Sequence, residues 1–244
     1  MKPYELIPFA SARDLASCVA GAWLDEIESA NRAGKAHCVA LSGGRIAQKF
    51  FAATVTLSRT RKTSFDHVHF FWADERCVPP TDLDSNFKLA DELLLTPLNI
   101  SQDQIHRLRG EIPSAEAVRI AAAEIRKFAP LDENNQPVLD LIFLGVGEDG
   151  HVASLFPNLS GKNQDTSVPF LAVENSPKPP PRRISLSYAA LKAAKNLWIL
   201  ASGEGKGKVL RESLAPGGQT PLARVVQSRS LRPGMKIFSD LGGF

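Results

Sequence analysis

VLDLIFLGVGEDGH, residues 138–151, decides the fold. Its first half is an apolar run of strand length that contains β-branched and aromatic side chains and is broken only by Asp140. A run that apolar, with no polar face of its own, suits a strand of a parallel sheet covered on both sides. Its second half is another kind of sequence. Gly145, Gly147 and Gly150 are interleaved with Glu148, Asp149 and His151. Such a stretch marks the point where a buried strand surfaces and turns.

The same order recurs on either side. HCVAL at 37–41 runs into Ser42-Gly43-Gly44-Arg45, and VHFFWA at 68–73 runs into Asp74-Glu75-Arg76. LWILA at 197–201 runs into Ser202-Gly203-Glu204-Gly205-Lys206. Helical spacing of apolar residues predicts helices over 12–31, 50–57, 86–95, 115–128 and 206–214. Ser85 and Ser114 are read as the caps of the third and fourth. Strands alternating with helices predict an α/β fold: a single domain over 1–244 with a mostly parallel, Rossmann-like sheet, helices on both faces and right-handed crossovers. Residues 158–183, polar and rich in proline, read as a surface loop interrupted by a short strand at 170–173.

The bulk numbers exclude several functions. The chain has 244 residues, 43% of them hydrophobic, and a net charge of only +3. That charge does not suit a nucleic-acid binder, which concentrates a basic face. The three cysteines, Cys18, Cys38 and Cys77, form neither a CxxC pair nor a zinc spacing. They point to a reducing compartment. The first residues lack the apolar segment of a signal peptide, and no apolar run is long enough to span a bilayer. The expectation is a cytoplasmic protein, monomeric or a small homo-oligomer, without membrane or nucleic-acid partners.

In open α/β sheets ligands bind outside the carboxyl ends of the strands. Here four such ends carry glycine, charge and one histidine. The glycine pair Gly43-Gly44 would let backbone N–H groups approach an anion at a helix N-terminus, with Arg45 beside it. The plain alternative is a tight turn with a solvent-facing arginine. Asp74 and Arg76 read either as a pocket floor or as a salt-bridged strand end. Arg183, after the proline run, and Lys206, at a helix start, read as phosphate ligands or as solvated charges, whereas Lys208 should point elsewhere. Gly145, Gly147 and Gly150 spell GxGxxG. However, Glu148 and Asp149 would lie in the loop meant for a pyrophosphate, and Pro157 follows too soon for a long helix, so no dinucleotide site is expected. Of the five histidines, His37, His67, His69 and His106 read as structural. His151 lies in a glycine-rich turn two residues after a carboxylate, where an imidazole suits general-base work. No second His or Cys stands at ligand spacing, so no metal is expected.

Together ALSGG (40–44), WADERCVPPTDLDSNFKLA (72–90), DLIFLGVGEDGHVASLFP (140–157) and PRRISLSYAALKAAKNLWILASGEGK (181–206) resemble the 6-phosphogluconolactonase family, whose fold is related to that of glucosamine-6-phosphate deaminase. The deaminases typically follow DGH with FNEP and carry DEY, whereas this chain has Ser154-Leu155-Phe156-Pro157 and Asp74-Glu75-Arg76. The family usually reads SGGSTP where this chain has Ser42-Gly43-Gly44-Arg45-Ile46-Ala47, so Arg45 either supplies a charged phosphate bond or fills the phosphate space. The resemblance implies hydrolysis of 6-phospho-D-glucono-1,5-lactone to 6-phosphogluconate in the oxidative pentose phosphate pathway, with no metal or organic cofactor. It implies His151 as the base that activates water, with Asp149 or Asp74 orienting it. Arg76 would meet the oxyanion or hold the ring, and Gly43, Gly44, Arg45, Arg183 and Lys206 would hold the phosphate. Asn86 would bond a hydroxyl, unless it and Ser85 serve only to form a turn. The rivals are an aldose–ketose deaminase or isomerase and a non-catalytic sugar-phosphate sensor on the same scaffold.

Overall fold

A computed structural model describes residues 3–157, 167–229 and 234–242 of the chain. The apolar runs form one sheet. Strands β1 (Glu5–Pro8), β2 (His37–Leu41), β3 (Val68–Trp72), β5 (Leu141–Gly145), β8 (Asn196–Ala201) and β9 (Met235–Ser239) stand in the order β1-β9-β8-β5-β2-β3. Every neighbouring pair is parallel. The chain leaves β2 toward β3 on one side and returns through β5 to β8 on the other. The sheet therefore changes direction between β2 and β5, where open α/β folds form their binding crevice.

Helices cover both faces. Helix α1 (Ala12–Arg32) is capped by Ser11, whose side chain accepts from Asp14 N, and it buries Leu15, Val19, Trp23 and Ile27 at helical spacing. The indole of Trp23 packs on Phe50 of α2 (Arg45–Arg61), on Phe70 of β3 and on Phe143 of β5. Phe71, one residue on, points to the opposite face and meets Phe128 of α4 (Ser114–Phe128). The remaining helices are α3 (Asn86–Ala90), α5 (Tyr188–Ala193), α6 (Lys206–Leu214) and α7 (Pro221–Ser228). Among the described residues no helix is long and apolar enough to cross a membrane. The three cysteines are free.

Several elements differ from the sequence reading. The helix expected over 86–95 is α3 followed by a π-helical turn, Asp91–Leu95. Ser114 is the first residue of α4 rather than its cap. The cap position is Pro113, and the Ser114 hydroxyl donates to Glu174. The main departure is a second sheet. Asp74–Arg76 is not a strand end but strand β4, antiparallel to β7 (Arg183–Leu186), which in turn pairs with β6 (Phe170–Val173). Ala73 still donates to Leu41 O, and the chain then leaves the parallel sheet for β7. The expected strand at 170–173 is β6, whereas 158–166 of the expected loop lie outside the described residues.

Candidate active site

The carboxyl ends of β2, β3, β5 and β8 open onto one pocket of about 330 Å³. Of the residues expected there, Gly43, Gly44, Arg45, Asp74, Arg76, Asn86, His151, Arg183 and Lys206 line it. Asp149 does not. It stands against His151 instead, accepting from Nδ1 with Oδ1 at 2.5 Å.

That hydrogen bond puts the imidazole proton on Nδ1 and leaves Nε2 as the free base. Two glycines make the arrangement possible. A Cβ on Gly147 would stand 2.0 Å from His151 Nδ1, and Gly150 turns the chain with φ +78°. Phe156 lies against the imidazole, with ring centroids 4.5 Å apart. Burial lowers the imidazole below its ordinary range, more than the Asp149 carboxylate raises it. For Asp149 burial acts upward, but the hydrogen bond and charge of His151, with Lys178 nearby, hold the carboxyl below its ordinary value. A neutral imidazole beside an ionised carboxylate is what a general base at neutral pH requires.

Asp74 is the other carboxylate considered for orienting His151, and its partners lie elsewhere. Its Oδ2 accepts from Ser154 Oγ at 2.7 Å, and its backbone oxygen accepts from Asn86 Nδ2 at 2.9 Å. Asn86 itself is buried and wedged against the glycine turn, since a Cβ on Gly43 would stand 1.9 Å from Asn86 Oδ1. Ser85 performs the capping, accepting from Lys88 N. Arg76 donates through Nη1 to Asp84 O at 2.7 Å, while its buried Nε has no partner among the described residues.

Two helix N-termini also open onto the pocket. Helix α2 starts at Gly44 (φ +102°) and α6 at Gly205 (φ +84°), and neither has a side-chain cap. Their first N–H groups are thus not met by a cap side chain, and the positive end of each helix dipole stands at the pocket. Arg45 is exposed and reaches toward the turn before α6, with Nη2 3.6 Å from where a Gly203 Cβ would stand. Lys206 is half-buried, and burial followed by the nearby Arg45 lowers its ammonium below the ordinary range. Lys208 points away and pairs with Glu212.

Arg183 is nearly fully buried as the first residue of β7. Its guanidinium donates to the carbonyls of Lys178, Pro179 and Pro180, so most of its N–H groups brace the proline loop. The loop carries a residue that sequence reasoning missed. Lys178 lines the pocket, with Nζ 3.6 Å from Asp149 Oδ1, the oxygen that also holds His151. Glu148 was likewise missed as a lining residue. Only the proline run preceding Arg183 hinted at a stiff loop there. His37 and the pair His69–His106 are structural: Trp23 Nε1 donates to His37, and His69 and His106 pack on Phe128. Among the described residues no group of three or more His, Cys, Asp or Glu side chains is arranged to hold a metal.

Comparison with known proteins adds four findings. The family model described as glucosamine-6-phosphate isomerases/6-phosphogluconolactonase matches residues 10–232. A 6-phosphogluconolactonase of Streptomyces coelicolor is 32% identical over 211 residues, covering 84% of this chain and 80% of that protein. One from Mycobacterium leprae is 30% identical over 224 residues, covering 89% of this chain and 90% of that protein. Among solved structures, the 6-phosphogluconolactonase of Trypanosoma brucei superposes with a TM-score of 0.84 at 26% identity, covering 99% of this chain and 98% of that one.

Proposed function

The chain belongs to the glucosamine-6-phosphate isomerase/6-phosphogluconolactonase family, and from that premise we propose that it hydrolyses 6-phospho-D-glucono-1,5-lactone to 6-phosphogluconate in the oxidative pentose phosphate pathway, with His151 as the base. One observation carries the assignment of residues. A histidine whose Nδ1 is held by a carboxylate faces the same pocket as two uncapped helix N-termini. The first feature suits activation of water, and the second suits a phosphate at the far end of the substrate.

The reaction is an ester hydrolysis. Water attacks the lactone carbonyl carbon as Nε2 of His151 takes its proton. Asp149 steadies the imidazolium that forms. Negative charge develops on the carbonyl oxygen, where Arg76 supplies the opposite charge. The bond from the carbonyl carbon to the ring oxygen then breaks, and His151 returns its proton to that oxygen. The acid product ionises at neutral pH, so each turnover releases one proton. Gly43 and Gly44 offer the α2 N-terminus to the phosphate, and Arg45 and Lys206 close on it. Asp74 and Asn86 face the sugar hydroxyls. Arg183 shapes the wall by holding Lys178.

Proton release on adding fresh 6-phosphogluconolactone, measured against spontaneous hydrolysis, tests the reading. The phosphorylated lactone should be consumed far faster than unphosphorylated gluconolactone, because phosphate binding positions the reacting ring. Equal acceleration of both lactones would refute the phosphate end, and no acceleration of either would refute the lactonase reading.

A further inference from the structure

Strand β4 sends two side chains to the pocket, and between them lies Glu75. Alternation along a strand turns Asp74 and Arg76 to one side and Glu75 to the other. Glu75 is 2% exposed. A carboxylate buried that deeply is costly unless its lone pairs are met, and here four donors meet them. Arg76 N and Asn86 N each donate to Oε1 at 2.7 Å, Phe87 N donates to Oε2 at 2.7 Å, and Ser85 Oγ donates to Oε2 at 3.0 Å. A set made only of donors suits the ionised form. Two of these N–H groups open α3, so the carboxylate also lies at the positive end of that helix.

None of the four bonds reaches the pocket. What they join are two chain segments that each carry a pocket side chain, Arg76 on one and Asn86 on the other. We infer that Glu75 is a positioning residue of the lactonase site: by holding the backbone of Arg76 and of Asn86 on one carboxylate oxygen, it sets where both side chains stand against the substrate. The inference rests on the lactonase reading and adds the group that sets its geometry. The fit it maintains has little slack. The Asn86 amide is packed on Gly43 and bonded to Asp74, and Arg76 reaches back to Asp84 O. A displacement of α3 by about an ångström would break these contacts, and a misplacement of that size can cost ~10²-fold in rate. Burial pushes the Glu75 carboxyl up to about 7 against the pull of its three N–H partners. The charges around it are Asp74 on its own strand, Arg107 from the segment before α4, and Arg183 on β7.

Glu75→Gln keeps the volume but turns an NH2 group toward backbone N–H donors. Assayed well below its melting temperature, the folded variant should lose ~10- to 10²-fold in kcat/KM on the phosphorylated lactone, with kcat falling because Arg76 meets the oxyanion and KM rising because Asn86 meets the sugar hydroxyls. Its affinity for 6-phosphogluconate, measured by calorimetry, should weaken in parallel. Introduced into Asn86→Ala protein, the same change should cost clearly less, because part of its effect passes through Asn86. If Glu75→Gln fails to fold, Ser85→Ala removes one of the four bonds and should lower kcat/KM several-fold. Wild-type kcat/KM and product affinity in a folded Glu75→Gln, a loss confined to melting temperature, full additivity with Asn86→Ala, or an unchanged Ser85→Ala would each overturn the inference. Absence of lactone hydrolysis in the wild-type protein would instead refute the lactonase reading, and 6-phosphogluconate affinity would still decide the role of Glu75.

Discussion

At the scale of single residues, His151 makes the sharpest prediction. It is a turn residue at the end of β5, so His151→Ala should lower kcat by ~10²–10⁴-fold while leaving the melting curve nearly unchanged. His151→Asn should do nearly as badly, since an amide cannot take the proton. His69→Ala, on the far side of β3 from Trp23, should act through stability instead. The pH profile separates the neighbours of the base. His151 must be neutral to act, and burial holds its pKa below the ordinary ~6.5. Activity should therefore hold at neutral pH and fall as the pH drops through that lowered value. The Asp149 carboxylate raises the imidazole, so Asp149→Asn should move the acid limb to lower pH while reducing the maximal rate. The Lys178 ammonium lowers it, so Lys178→Met should move the limb to higher pH. Shifts in the same direction in both variants would contradict this account. The pairing of His151 with Asp149 at the pocket was legible from local chemistry, because a histidine two residues after a carboxylate in a glycine turn needs no distant partner. The place of Lys178 was not legible, because it depends on Arg183 clamping the carbonyls of the proline loop.

At the scale of elements, the two helices that begin at the pocket without side-chain caps, α2 and α6, contrast with α1, α3, α5 and α7, each capped by Ser or Thr. A helix start left uncapped at a pocket suits an anion as its partner. Lys206→Ala should raise KM for the phosphorylated lactone roughly tenfold to a hundredfold, as for a lost hydrogen bond to a charged group. Arg45→Ala should cost less, because Arg45 is exposed and screened by water whereas Lys206 is half-buried. Neither change should matter for unphosphorylated gluconolactone. Steady-state kinetics on the two lactones check this, and an equal loss on both would remove the phosphate from this end of the pocket.

At the scale of the whole molecule, the six-stranded sheet and its two helical layers form the frame on which the four strand ends converge. Trp23 is a main tie of that frame. It is fully buried, donates to His37 Nε2, and packs on rings from α2, β3 and β5. Trp23→Ala should cost about 3–5 kcal/mol of folding stability by denaturant titration. The fraction that remains folded should keep a near-normal kcat, because the ring partners of the indole and its acceptor His37 are core residues that do not line the pocket. A comparable loss of kcat in fully folded protein would show that the core and the site are coupled more tightly than these contacts imply.

The sequence by itself determined strands β2, β3, β5 and β8 of the parallel sheet, though not its edge strand β1 or its neighbour β9, together with most of the helices and the strand ends that face the pocket. Apolar periodicity is a local property, and a glycine-rich break after a buried run marks the carboxyl end without reference to the rest of the chain. Tertiary structure alone decided what depends on pairing across distance. Asp74-Glu75-Arg76 reads locally as the charged end of β3, and only the register of Asp74 with Ser185 makes it a strand of a second sheet. Sequence left both Asp149 and Asp74 open beside His151; in the fold His151 Nδ1 bonds Asp149, while Ser154 and Asn86 meet Asp74. Arg183 became a brace because β7 buries it beneath the loop that carries Lys178. Glu75 acquired its place because the start of α3 folds back onto β4. A buried carboxylate is specified by the donors that surround it, and those donors are brought together only when the chain has folded.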